Sequence, residues 1–120
     1  MSDNLRELYP AALKRIPQRD VNSRNIRWLV QVDVDRTVLE ERWGAPEIAE
    51  DDFAEWLCFA FSPMEGEAFI LLRQVHHPPV AGFVLSVTRG LFSLEAAERV
   101  LQALDIPGVQ ITHMNAEATS

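Results

Sequence analysis

Two spacings of apolar residues run along the chain, one helical and one alternating, and together they predict its elements. Leu5, Leu8, Tyr9, Ala12, Leu13 and Ile16 fall on one helical stripe, opened by the capping pair Asn4 and Glu7 and closed by Pro17. Pro10 lies inside that stripe, so the helix is kinked there or starts there. The polar stretch from Gln18 to Asn25 reads as a loop. Ile26, Trp28, Val30 and Val32 then alternate with Arg27, Leu29, Gln31 and Asp33, the pattern of a strand with one buried face. Thr37 and Glu40 have the spacing of a capping box, and Gly44 with Pro46 stops the short helix whose inward side is Val38, Leu39 and Trp43. From Ala45 to Asp52 acids crowd together, which predicts a loop.

Trp56 to Phe61 is an unbroken apolar run, rich in aromatics and short for a helix, hence a central strand. After the turn Ser62 to Gly66, Ala68 to Val75 returns as a second strand. Beyond His76, His77, Pro78 and Pro79, the segment ending at Val87 makes the third strand of an antiparallel meander. Ser93 caps a helix with Leu94, Ala97, Leu101 and Leu104 on one side; Pro107 and Gly108 stop it, and Val109, Ile111 and His113 extend a last strand. The expected architecture is α+β: one two-layer domain over residues 1–114, with a flexible C-terminal tail over residues 115–120. Its sheet is mostly antiparallel, with about four to five strands and two to three helices packed on one face.

Composition narrows the class. Hydrophobic residues make up 48% of the 120 and charged residues 24%, ordinary values for a folded domain with one core. Neither a secretory leader nor an apolar run of membrane-spanning length stands in the sequence, and Cys58 is the sole cysteine. The expectation is a cytoplasmic protein with no membrane association and no cofactor.

Charge is distributed unevenly. Between Asp33 and Glu55 lie nine acids and two bases, a balance of −7 that equals the formal charge of the whole chain. Asp33, Asp35, Glu40 and Glu41 have local work at a strand end and a helix start. Glu47, Glu50, Asp51, Asp52 and Glu55 have no such role. A confined negative stretch steers partners of opposite sign and disfavours direct nucleic-acid binding, which needs a basic surface. Trp43, closing the short helix beside these acids, is either the helix's core plug or an aromatic anchor for a basic partner. Arg15, Arg19, Arg24 and Arg27 form an oppositely charged flank, able to meet the acids within the molecule or across a homodimer.

Chemistry-bearing motifs are few. Asp33, Val34, Asp35, Arg36, Thr37 and Val38 after an apolar strand resemble the first motif of haloacid-dehalogenase-type phosphatases. That resemblance implies Asp33 as nucleophile and Asp35 as acid and base with magnesium. The family's downstream lysine has no counterpart, since Lys14 lies upstream. His76 and His77 are adjacent and so point to opposite faces of a strand, a poor metal pair. Cys58 sits in an apolar run, where a thiol fills space.

The short helix ending at Gly44 and Pro46, followed by a meander led by Trp56, resembles small bacterial α+β binding modules and inhibitor or immunity proteins. The resulting expectation is a non-enzymatic module that neutralises or regulates a basic, nucleic-acid-acting protein. Its partner-binding residues would be Trp43, Glu47, Glu50, Asp51, Asp52 and Glu55. Two alternatives stand behind it: a structural or adaptor subunit that self-associates or joins a larger complex, and a small metal-dependent hydrolase.

Overall fold

The computed structural model describes residues 13–21, 26–50, 54–76, 82–106 and 108–119. In chain order they form β1 (Lys14–Ile16), a 3-10 turn (Gln18–Asp20), β2 (Arg27–Asp33), α1 (Arg36–Trp43), β3 (Glu47–Glu50) and β4 (Glu55–Ser62). There follow β5 (Ala68–Gln74), β6 (Phe83–Arg89), α2 (Leu94–Ala103), β7 (Gln110–Met114) and α3 (Ala116–Thr119). All seven strands join one antiparallel sheet in the order β1-β4-β5-β6-β2-β7, with β3 also on β4. β1 pairs with Ala60–Ser62 and β3 with Glu55–Cys58, so the two short strands lie end to end along one side of β4.

The sheet has more strands than the four to five expected, for two physical reasons. The segment read as a helix up to Ile16 is extended in its described part, because a residue before proline is driven out of the helical region and β4 offers it a partner. The rest of that helix, through Ala12, lies outside the described residues. The second addition is β3, hidden in the acidic stretch: Glu-Ile-Ala-Glu carries too little apolar signal to read as a strand, and its pairing with β4 decides the matter.

Register puts Phe59, Phe61, Phe69, Leu71, Phe83 and Leu85 on one face, where they form the main core with Leu39 of α1 and with Ala96, Ala97 and Val100 of α2. A smaller cluster, Val21, Cys58, Ala60 and Ile70, lies on the other face. In β2 the alternation breaks at a bulge between Trp28 and Val30. Leu29, Val30 and Val32 are therefore all buried, while Trp28, expected inside, pairs with Ser86 and is 41% exposed.

Helix ends follow side-chain chemistry. The cap of α1 is Asp35, whose Oδ1 accepts from the Thr37 backbone N–H at 2.8 Å, so the helix starts before the Thr37 capping box that the sequence suggests. Glu40 instead takes a hydrogen bond from Arg36 at 3.1 Å. Ser93 caps α2 as its spacing predicts, its Oγ accepting from the Ala96 N–H at 3.1 Å. The core side of α2 is rotated from the expected stripe, since two alanines approach the sheet and Leu101 is left partly exposed. Residues 116–119, expected as part of a tail, form a helical turn with Ala118 buried. Among the described residues no helix is long and apolar enough to cross a membrane.

Candidate functional site: an acidic hairpin at the sheet edge

β3 and β4 pair as an antiparallel hairpin, and the residues that link them in sequence, 51–53 with Asp51 and Asp52, lie outside the described residues. At the end of this ladder, Glu50 and Glu55 are directly opposed cross-strand partners. Paired residues of an antiparallel ladder share a face, so their carboxylates stand side by side. Ile48 is two residues along β3, hence on that same face, and 62% of it is exposed. The arrangement is two like charges beside an exposed branched apolar side chain at the sheet's margin.

Neutralisation from within is sparse. Glu55 has His76 Nε2 at 3.8 Å from its Oε1, and among the described residues no ion pair reaches Glu50. Among the described residues, the arginines of the basic flank do not pair with this site. Arg15 stacks over Phe59 and donates to the Trp43 carbonyl at 2.7 Å, and Arg27 lies over Phe92. Arg19 makes none of the ion pairs found, and Arg24 is outside the described residues.

Glu47 differs from its neighbours. Its Oε1 accepts the Gln18 backbone N–H at 2.7 Å, which fastens the 3-10 turn to β3. A local role therefore exists where the sequence suggested none. Trp43 is also placed apart from Glu50 and Glu55. Its ring meets Phe61 edge-on at 5.2 Å, its Nε1 donates to the Leu104 carbonyl at 3.0 Å, and the side chain is half-buried against the core. Along β4, Phe61 is six residues from Glu55, roughly 20 Å. The structure thus brings Glu50 and Glu55 together, holds Glu47 on the hairpin's other face, and gives Trp43 the packing of a core plug. Ile48 is the site residue that sequence reasoning missed, its strand having read as a loop.

The other candidate chemistries have plain local settings. Asp35 is engaged in capping. Cys58 is buried, and removal from water pushes its thiol up to about 11, with the Glu47 charge a smaller contributor in the same direction and a hydrogen bond from Ala49 opposing. A thiolate nucleophile at neutral pH does not fit that setting. Among the described residues, no three of His, Cys, Asp and Glu gather as a metal site; His77 lies outside them. No family model matches the chain, and no curated protein or solved structure matches it.

Proposed function

We propose that this chain is a non-enzymatic protein-binding module of the inhibitor or immunity type, neutralising or regulating a basic, nucleic-acid-acting protein through the β3–β4 hairpin. The observation that carries the reading is the opposed pair Glu50 and Glu55 beside exposed Ile48. Like charges directly opposed on a sheet cost the fold roughly 0.2–1 kcal/mol. A lysine or arginine brought between them by a partner offsets that repulsion, and Ile48 adds apolar contact area next to the charged contact. Asp51 and Asp52, next along the sequence, carry the same sign of charge. The N-terminal arginines that are described do not neutralise these acids, so the negative potential faces outward and steers a cationic surface.

The test is kinetic. Against a captured basic partner, Glu50→Gln slows association and flattens its dependence on salt, with little change in the dissociation rate if the contact lies at the rim. Association that is unchanged by Glu50→Gln and by Glu55→Gln defeats the reading.

A further inference from the structure

The opposite margin of the sheet holds a second surface. Among the described strands, β7 is paired on one side only, by β2. The outer backbone N–H and C=O groups of such a strand are open to pairing, and proteins usually blunt them with charge or proline. The β1 and β3 margin follows that rule with Lys14, Arg15, Glu47 and Glu50. Gln110, Ile111, Thr112, His113 and Met114 include no lysine, arginine, acid or proline. A bulge sets Thr112 apart from the register with β2, and its hydroxyl donates back to the Gln31 carbonyl at 3.3 Å.

Beside this edge, which no other described strand covers, a groove of about 620 Å³ runs between α2 and β7 with Leu101, Ile106, Val109 and Ile111 as its apolar lining. Ile111 pairs with Val32 and so faces the helix side of the sheet. Glu98 and Asp105 line the same groove, both exposed; the Asp105 side chain is 81% exposed, with Arg42 at 3.7 Å. A strand added about 4.8 Å beyond β7 would lay alternate side chains over Leu101 and Ile106.

We propose that β7 accepts an extended segment of a partner protein as an eighth strand, placing apolar side chains in the groove and a lysine or arginine on the same face against Glu98 and Asp105. The apolar floor selects the alternating residues, the open backbone supplies hydrogen bonds, and the two acids set the sign of the charge. This surface is separate from the acidic hairpin and does not depend on its function.

The probe is the capped peptide Lys-Thr-Val-Thr-Val-Thr-Lys, with the valines and lysines on one face, titrated into the 15N-labelled full chain and followed by amide shifts and hydrogen exchange. Shifts confined to Gln110–Met114 and the end of α2, with exchange of β7 amides slowed about tenfold, are expected. The same peptide with glutamates for lysines binds at least about fivefold more weakly, and Glu98→Lys reverses that preference. N-methylation along one peptide edge abolishes binding, while along the other it is tolerated. Glu50→Lys/Glu55→Lys leaves the affinity within about twofold. Shifts centred on the hairpin, equal binding of both charge versions, or indifference to methylation of either edge overturns the proposal. So does concentration-dependent protection of β7 without peptide, which assigns the edge to a second copy of this chain.

Discussion

The indole Nε1 of Trp43 donates to the Leu104 carbonyl at 3.0 Å, so the last residue of α1 closes the C-terminus of α2. Carbonyls at a helix end lack partners within the helix, and this one is satisfied across 61 residues of sequence. The same ring packs edge-on against Phe61.

Trp43→Phe removes the hydrogen bond and keeps most of the packing, so it is expected to cost about 1 kcal/mol by denaturant unfolding. Trp43→Ala also opens a cavity at the core's margin, with an expected loss of about 3 kcal/mol. Neither change is expected to alter the association rate with a basic partner. A Trp43→Phe variant with wild-type stability but slowed association would return the residue to the binding surface.

Gly82 has φ +82°, and a Cβ there would clash with the Val32 carbonyl oxygen. Gly66 has a similar φ, +86°, with nothing within 4 Å. Gly66→Ala is therefore expected to cost about 1 kcal/mol from backbone strain alone. Gly82→Ala adds a backbone clash where β6 meets β2, and a loss at least about 2 kcal/mol larger is expected from the same unfolding measurement. Equal costs at the two positions would contradict the close approach.

Cys58 carries a thiol pushed up to about 11 by burial. At pH 8 its alkylation by iodoacetamide is expected to be on the order of 100-fold slower than that of a free cysteine. Below pH 9 the thiol is protonated in both the folded and unfolded chain. As pH rises from 9 toward 11 the unfolded chain gives up its proton first, so stability falls through that window. Cys58→Ala is expected to flatten this part of the stability curve. A curve with the same slope in both proteins would place the thiol in contact with water.

Much of the fold is legible in the sequence where local and tertiary forces agree. The meander β4-β5-β6 is written in apolar runs separated by the breaks Ser62 to Gly66 and His76 to Pro79, and Ser93 with the spacing after it marks α2. Legibility ends where pairing overrides pattern. Lys14–Ile16 carries helical spacing yet becomes a strand, and Glu47–Glu50 is polar yet completes a ladder. The bulge in β2 moves Trp28 outward, which strict alternation cannot show. At the candidate site, the clustering of acids was visible in the chain, but the opposition of Glu50 and Glu55 is a matter of register. Ile48 became visible as a site residue only once β3 was placed.

Glu50 opposite Glu55 makes a claim on stability as well as on binding. Glu50→Lys turns a repulsive pair into an attractive one, and a gain of roughly 0.5 kcal/mol in unfolding free energy is expected at low salt. That gain shrinks as salt screens the exposed charges. A destabilising Glu50→Lys would mean that the two carboxylates do not face each other.

The central claim is tested most directly by affinity capture from a lysate of the source organism, with wild-type chain and a Glu50→Lys/Glu55→Lys variant as baits. The double reversal keeps the like-charge opposition and inverts its sign, so the fold is expected to be unaffected while the surface changes character. The expected result is a basic protein enriched by the wild-type bait at low salt, lost from the reversed bait, lost at high salt, and retained by a Trp43→Phe bait. The same proteins captured by wild-type and reversed baits, or enrichment of an acidic partner only, would contradict it.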